Sequence, residues 1–284
     1  MSKLIDGKLV AQSLKKEIKD EVLKLNKDGI NVGLAVVLVG DDPASHIYVK
    51  NKAATCDTLG IKSFEYNFSN NASTKEILDS IEKLNNDSRV NGILCQLPLP
   101  DIIDKKAVIE AISPIKDVDG FHPVNTGKML SGYGELLPCT PSGIIKLLDY
   151  YDIKIEGKNA VVIGRSDIVG KPLAVMLSKR NATVTLCHSK TVDLKSITKS
   201  ADILISAVGK EGLISADMVK SGATVIDVGI NRTDKGLVGD VCFDEVSKVA
   251  GYITPVPGGV GPMTIASLML NTVKAAKIQN GMKI

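Results

Sequence analysis

The stretch from Val161 to Ala174, VVIGRSDIVGKPLA, constrains this chain more than any other. Residues 159–163 close in a β-branched apolar run that stops at Gly164. Gly170-Lys171-Pro172 then opens a new segment with proline near its first turn. The pattern predicts a strand, a tight turn and a helix whose free N–H groups face whatever lies beyond the strand, which suits a phosphate. Apolar runs at 182–187, 202–208 and 223–228 follow, with short helical segments between them. Residues 140–262 are therefore expected to form a Rossmann-like, doubly wound α/β domain.

The loop departs from the usual G-x-G-x-x-G dinucleotide pattern, because Arg165 and Ser166 follow Gly164 and the next glycine is Gly170. A plain strand–helix turn fits the loop equally well. The end of the following strand, ATVTLCHSK, favours the nucleotide reading. An NAD site carries Asp or Glu about 20 residues after the loop, where it binds the ribose 2′-OH. Here His188, Ser189 and Lys190 stand instead, and with Arg165 they make a neutral-to-basic pocket suited to the 2′-phosphate of NADP. The alternative is that CHSKT is only a polar turn.

At 284 residues the chain has room for two domains, and 44% hydrophobic residues supply two cores. Thirty-five basic residues against 32 acidic ones, with no dense basic block, point away from nucleic acid. No apolar run is long enough to span a bilayer. The N-terminus, MSKLIDGKLVAQSLKKEIKDEV, lacks the apolar core of a signal peptide. Cys56, Cys95, Cys139, Cys187 and Cys242 are widely spaced with no C-x-x-C, which fits a reduced, cytoplasmic setting. Three histidines without ligand spacing predict no metal site.

The periodicity of Val10, Leu14, Ile18, Val22 and Leu25 predicts a first helix closed by Gly29. A buried strand is expected over 34–39, a helix over 44–59, an alternating strand around Phe64, Tyr66 and Phe68, and a strand over 90–97. Ser73-x-x-Glu76 is a capping box for a helix running to Leu84. A short helix is expected over 104–112, then an irregular segment over 113–138. Thr140 is a candidate N-cap with Pro141 at the first helical position, and the domain boundary is placed there. Residues 1–139 thus form a first domain, against which a last helix, about 263–284, packs back.

Four groups of residues have chemical potential. Tyr48 and Lys52 lie four apart on one helix face. A lysine at an apolar boundary can lose its charge by burial and move protons near neutral pH; a solvated helix face is the alternative. Gln96 ends an apolar strand, placed to orient a ligand or a lysine, or is a routine polar strand end. Asp117 and Asp119 precede Gly120 in the long loop, where a carboxylate can accept paired N–H groups or make an Asx-turn. PVPGGVGP can approach a flat ligand closely, or is a rigid connector.

In order along the chain, YVKNKAATC, QLPLP, KDVDGFHPVNTG, TPSG, VVIGRSDIVGKP and TPVPGGVGPMT closely resemble the bifunctional methylenetetrahydrofolate dehydrogenase/methenyltetrahydrofolate cyclohydrolase family. The resemblance covers nearly the whole chain. It implies a two-domain α/β fold with the active-site cleft between domains, a homodimer, and a folate substrate. It also implies oxidation of 5,10-methylenetetrahydrofolate with NADP⁺, followed by hydrolysis of the methenyl cation to 10-formyltetrahydrofolate. Lys52 is implied as the key catalytic residue, with Tyr48 stacking on the folate, Gln96 bonding Lys52 and favouring its neutral form, and Asp119 anchoring the pterin. Pro257, Gly258 and Gly259 are implied on the folate side. Gly164, Arg165, Ser166, Ser189 and Ile230 are implied to hold NADP, with Arg165 and Ser189 on the 2′-phosphate. Rival readings are a dehydrogenase without the second activity, a shikimate-type dehydrogenase, and a catalytically silent dinucleotide sensor.

Overall fold

The computed structural model describes residues 2–234 and 236–284. In chain order they form β1 (Lys3–Leu4), α1 (Gly7–Lys27), β2 (Gly33–Val39), α2 (Pro43–Leu59), β3 (Lys62–Phe68), α3 (Thr74–Asn86), β4 (Gly92–Cys95), α4 (Lys105–Ala111), α5 (Pro123–Ser131) and α6 (Cys139–Tyr150). There follow β5 (Asn159–Ile163), α7 (Gly170–Lys179), β6 (Thr183–Cys187), α8 (Leu194–Lys199), β7 (Ile203–Ser206), β8 (Thr224–Asp227), β9 (Asn231–Thr233), β10 (Gly236–Val238), α9 (Phe243–Val246), β11 (Tyr252–Ile253) and α10 (Val260–Gln279). Among the described residues no helix is long and apolar enough to cross a membrane.

Two compact units divide the chain. One comprises Ser13–Cys139 and Ile265–Ile284, the other Met1–Gln12 and Thr140–Thr264. In the first, a parallel sheet runs β3-β2-β4. Every residue of β2, GLAVVLV, is buried, as a central parallel strand covered on both faces must be. Ile77, Ile81 and Leu84 of α3 and Val108 of α4 join Ala35, Val37, Val39 and Ile93 in one core. The Ser73–Glu76 capping box is complete, and Asp42 caps α2 by accepting from the Ser45 N–H. Lys116 is buried, and its ammonium donates to the Leu84 and Asp87 carbonyls at 3.0 and 2.9 Å, closing the end of α3.

In the other unit six parallel strands run β1-β11-β8-β7-β5-β6. The order reverses at β5, so the switch point of this sheet lies between β5 and β7, where α/β sheets bind ligands beyond their carboxyl ends. Gly164 and Gly170 are required there: a Cβ on Gly164 would fall 2.4 Å from the Ala207 carbonyl oxygen, and one on Gly170 would fall 1.9 Å from that of Gly164.

Several expectations need correction. Residues 1–12 belong with 140–264, where a boundary at 139/140 alone had assigned them to the first domain. The Lys3 and Ile5 N–H groups donate to the Gly251 and Ile253 carbonyls, both at 2.8 Å, making the amino end an edge strand. A two-residue strand leaves no periodicity to read. The segment 113–138 contains α5, which Pro123 starts, the His122 ring caps and Gly132 ends. Its interior Asn125 and Gly127 hid it. The sixth helix begins at Cys139, so Thr140 lies inside it and bonds Thr264 at 2.9 Å instead of capping. The last helix starts at Val260, and only its part from Ile265 counts with residues 13–139.

That part of α10 is tied in by polar contacts. The Asn271 amide donates to the Val118 and Leu137 carbonyls, both at 2.8 Å, and the Gln279 amide donates to the Asn91 carbonyl at 2.8 Å. We predict that Asn271→Ala, which removes the amide donor from the Val118 and Leu137 carbonyls, destabilises the protein by about 1–3 kcal/mol in denaturant unfolding. An unchanged midpoint would show that water replaces the amide without cost.

Candidate active site

α2 carries Tyr48 and Lys52 one turn apart, with Val49 and Cys56 buried on its inner face. Tyr48 is 36% exposed, whereas the Lys52 ammonium is taken out of water. Lys52 Nζ donates to Gln96 Oε1 at 2.7 Å. Gln96 follows β4 directly and is buried, and its own N–H bonds Val37 O at 2.9 Å in continuation of the sheet. Its side-chain NH₂ donates to Leu97 O at 2.6 Å, which turns the amide oxygen toward the lysine.

This geometry corrects the role given to Gln96. An oxygen acceptor suits an ammonium at least as well as an amine, so the amide does not favour the neutral lysine. Burial is what lowers the Lys52 pKa, against the opposing influence of Asp119. Asp119 is pushed up to about 7, chiefly by burial; Lys52 counters this and Asp117 adds to it. The chain thus holds a lysine and a carboxyl whose pKa values are drawn toward each other and toward neutrality.

The two loop aspartates divide their work. Asp117 accepts the N–H groups of Gly120, Phe121 and His122 at 3.1, 3.3 and 2.9 Å and the Asn125 amide at 2.9 Å. It therefore shapes the loop, and Asp119 is the one left electrostatically coupled to Lys52. Cys139 is a residue that sequence reasoning noted only as an unpaired thiol. It is buried, it interacts with Asp119 and Lys52, and burial raises its pKa well above the ordinary thiol value. No sequence spacing signals this, because residues 52, 119 and 139 meet only in the fold.

In the other unit, Arg165, Ser166 and Ser189 are exposed at the carboxyl edge of the sheet. Ile163 of β5 pairs with Cys187 of β6, so Arg165 and Ser189 each stand two residues beyond a paired position of neighbouring strands. Ile230, 45% exposed, lies three residues past the end of β8. The expectation of free N–H groups at the start of α7 is not met. Ser166 Oγ accepts those of Val169 and Gly170 at 3.2 and 3.3 Å, and Ser166 O takes that of Lys171 at 3.1 Å. The polar turn CHSKT is also present, with Thr191 Oγ1 accepting the His188 N–H at 2.8 Å, and it leaves Ser189 outward. Pro257 is exposed, while Gly258 and Gly259 are buried, and a Cβ on Gly259 would fall 2.6 Å from Pro255 O.

A chain with proton-transfer groups on one α/β unit and a parallel nucleotide-type sheet on the other is the class to which fold and site point. Comparison with known proteins narrows it. Residues 5–119 match the catalytic domain of tetrahydrofolate dehydrogenase/cyclohydrolase, and residues 138–280 match its NAD(P)-binding domain. The chain belongs to the tetrahydrofolate dehydrogenase/cyclohydrolase family. It is 59% identical to the bifunctional protein FolD of Halothermothrix orenii, over 98% of this chain and 99% of that protein. Bifunctional FolD of Campylobacter jejuni superposes with a TM-score of 0.96 at 53% identity, over 98% of this chain and 100% of that one. The FolD of Trypanosoma brucei, solved with NADP and an inhibitor, superposes with a TM-score of 0.94 at 38% identity, over 98% of each chain.

The raised Asp119 pKa has a consequence for stability. Its folded value, about 7, exceeds the unfolded one of about 4. Between those values the folded state binds more protons, so the stability Asp119 contributes falls as pH rises. Asp119→Asn, which cannot ionise, is predicted to raise the melting temperature relative to the parent at about pH 8 and to do so less at about pH 5. A difference that is equal at the two pH values, or larger at the lower one, would contradict this.

Proposed function

We propose that this chain oxidises 5,10-methylenetetrahydrofolate with NADP⁺ and then hydrolyses the methenyl product to 10-formyltetrahydrofolate. The observation that carries the second activity is the bond from Lys52 to Gln96 beside Asp119. Burial lowers the Lys52 pKa and so favours the free amine that a general base requires. It takes a proton from the water that attacks the methenyl carbon. The ammonium so formed is met by Gln96 Oε1 and by the Asp119 carboxylate, both of which stabilise positive charge. As the bond from that carbon to the folate ring nitrogen breaks, Lys52 returns the proton to the nitrogen, and the hydroxyl left on the carbon releases its own proton to solvent as the formyl carbonyl forms. A dehydrogenase without hydrolysis, or a silent sensor, has no use for such a pair.

Tyr48, exposed one turn from Lys52, offers its ring to stack on the folate. Asp119 is assigned to the pterin N–H groups, and the family resemblance adds Pro257, Gly258 and Gly259 to the folate-binding residues. Bound NADP⁺ supplies the hydride acceptor. Gly164 and Gly170 let the turn after β5 pack closely on the Ala207 and Gly164 backbone at the switch point, and Arg165, Ser166, Ser189 and Ile230 are assigned to hold the cofactor there. The absence of a carboxylate after β6, with Arg165 and Ser189 exposed beyond the ends of neighbouring strands, supports NADP over NAD. The NADP bound to the trypanosomal relative supports the same choice. The resemblance further leads us to propose a homodimer, and the five free cysteines support a cytoplasmic setting.

Two variants test the reading. Lys52→Met is expected to keep the fold and to lower methenyl hydrolysis by about 100-fold or more, followed by loss of the methenyl absorbance; parental hydrolysis would remove Lys52 from its role. Arg165→Ala is expected to raise the KM for NADP⁺ about tenfold or more while leaving that for NAD⁺ nearly unchanged. Equal losses for the two would show that Arg165 does not read the 2′-phosphate.

A further inference from the structure

A buried carboxylate network lies under the carboxyl edge of the six-stranded sheet, away from Lys52 and Asp119 in sequence and in a different unit. Asp240 is completely buried and accepts from four donors. Its Oδ2 takes Ser206 Oγ and the Val208 N–H, both at 2.9 Å, and its Oδ1 takes the Lys210 N–H at 2.8 Å and the Asn231 amide at 3.4 Å. Ser206 is the last residue of β7, and Asn231 opens the β9–β10 hairpin. One carboxylate therefore fixes the loop after β7 and the segment after β8 at the same time.

Asp240 is itself held in place. Its N–H donates to Asp227 Oδ1 at 2.9 Å, and Asp227, the last residue of β8, also accepts the Gly229 and Val241 N–H groups at 3.0 and 2.9 Å. Glycines make room for both side chains. A Cβ on Gly229 would fall 2.0 Å from Asp240 Oδ1, and one on Gly239 would fall 1.8 Å from Asp227 Oδ2. Such exclusive packing of two carboxyl groups costs desolvation, and it is met here by backbone donors that lie along the sheet's ligand-binding edge.

The loops that Asp240 joins flank the switch point. A Cβ on Gly164 would fall 3.4 Å from Val208 Cγ1, so Val208 borders the turn after β5. Val208 and Ile230 are exposed apolar side chains, 39% and 45%, and each is adjacent to or identical with a residue whose backbone or neighbour Asp240 bonds. We infer that Asp240 is a positioning residue for the dinucleotide: by bonding Ser206, Val208 and Lys210 on one side and Asn231 on the other, it sets the placement of Val208 and Ile230 against the cofactor. The inference rests on the proposed use of this edge for NADP.

The two activities give the test an internal reference. Dehydrogenase activity of the parent with methylenetetrahydrofolate and NADP⁺ is measured first; its absence would sink the functional reading itself and leave Asp240 without a cofactor to position. Given parental turnover, Asp240→Asn sets an NH₂ against N–H donors. It is expected to raise the NADP⁺ KM at least tenfold while the rate of methenyl hydrolysis, carried by Lys52 and Gln96, stays within twofold. Ser206→Ala, which removes one donor and keeps the carboxylate, is expected to raise the same KM less, and it decides the matter should Asp240→Asn not fold. An NADP⁺ KM within twofold of the parent in the folded variants, or a parallel fall of both activities, would overturn the inference.

Discussion

Removing the Lys52 amine from water is the constraint on which the arrangement of residues 13–139 and 265–284 depends. A buried ammonium is costly unless it is paired or neutral. The surroundings serve both states. Burial favours the amine, while Gln96 Oε1 at 2.7 Å and the nearby Asp119 carboxyl receive the ammonium when it forms. A group able both to bind and to release a proton needs this balance and not a strong preference for either form. The elements around it follow: α2 aims the lysine, the β4 strand end aims the amide, and Asp117 holds the loop so that Asp119 is left for the lysine.

The nucleotide-type unit meets a different demand with different means. Its edge must let backbone and ligand approach closely, so side chains are removed where strands and loops crowd. Gly164 and Gly170 clear the turn after β5, and Gly229 and Gly239 clear the space that Asp240 and Asp227 occupy. The first N–H groups of α7 are satisfied by Ser166, while Arg165 and, past the end of β6, Ser189 stand exposed at the same edge of the sheet.

Elements whose evidence is local were readable in advance. The periodic helix at Val10–Leu25, the Ser73–Glu76 box and the strand-turn-helix at 159–179 all appear, because repeating apolar spacing and cap chemistry act within a few residues. Two-residue strands such as β1 and β11 were not readable, since pairing alone creates them. α5 escaped notice because Asn125 and Gly127 lower its helical signal, although its proline start and glycine end stand in the sequence. Of the site, Tyr48 with Lys52 is legible as a helix pair and Gln96 and the Asp117–Asp119 pair as candidates, and the resemblance of six ordered motifs adds their roles and the choice of Asp119. Cys139 and the Asp227–Asp240 network were not, because nothing in their spacing marks them.

By itself the sequence determined the longer helices and strands, the presence of a nucleotide-type sheet, the lysine on α2 and the lack of an acidic residue after β6. Each of these is a property of neighbours in the chain. Only the tertiary structure decided that Asp117 builds a loop while Asp119 faces Lys52, that Gln96 offers its oxygen, and that Asp240 ties two loops together. Burial and hydrogen-bond partnership are set by residues far apart in sequence, and it is burial that lowers the Lys52 pKa and raises that of Asp119.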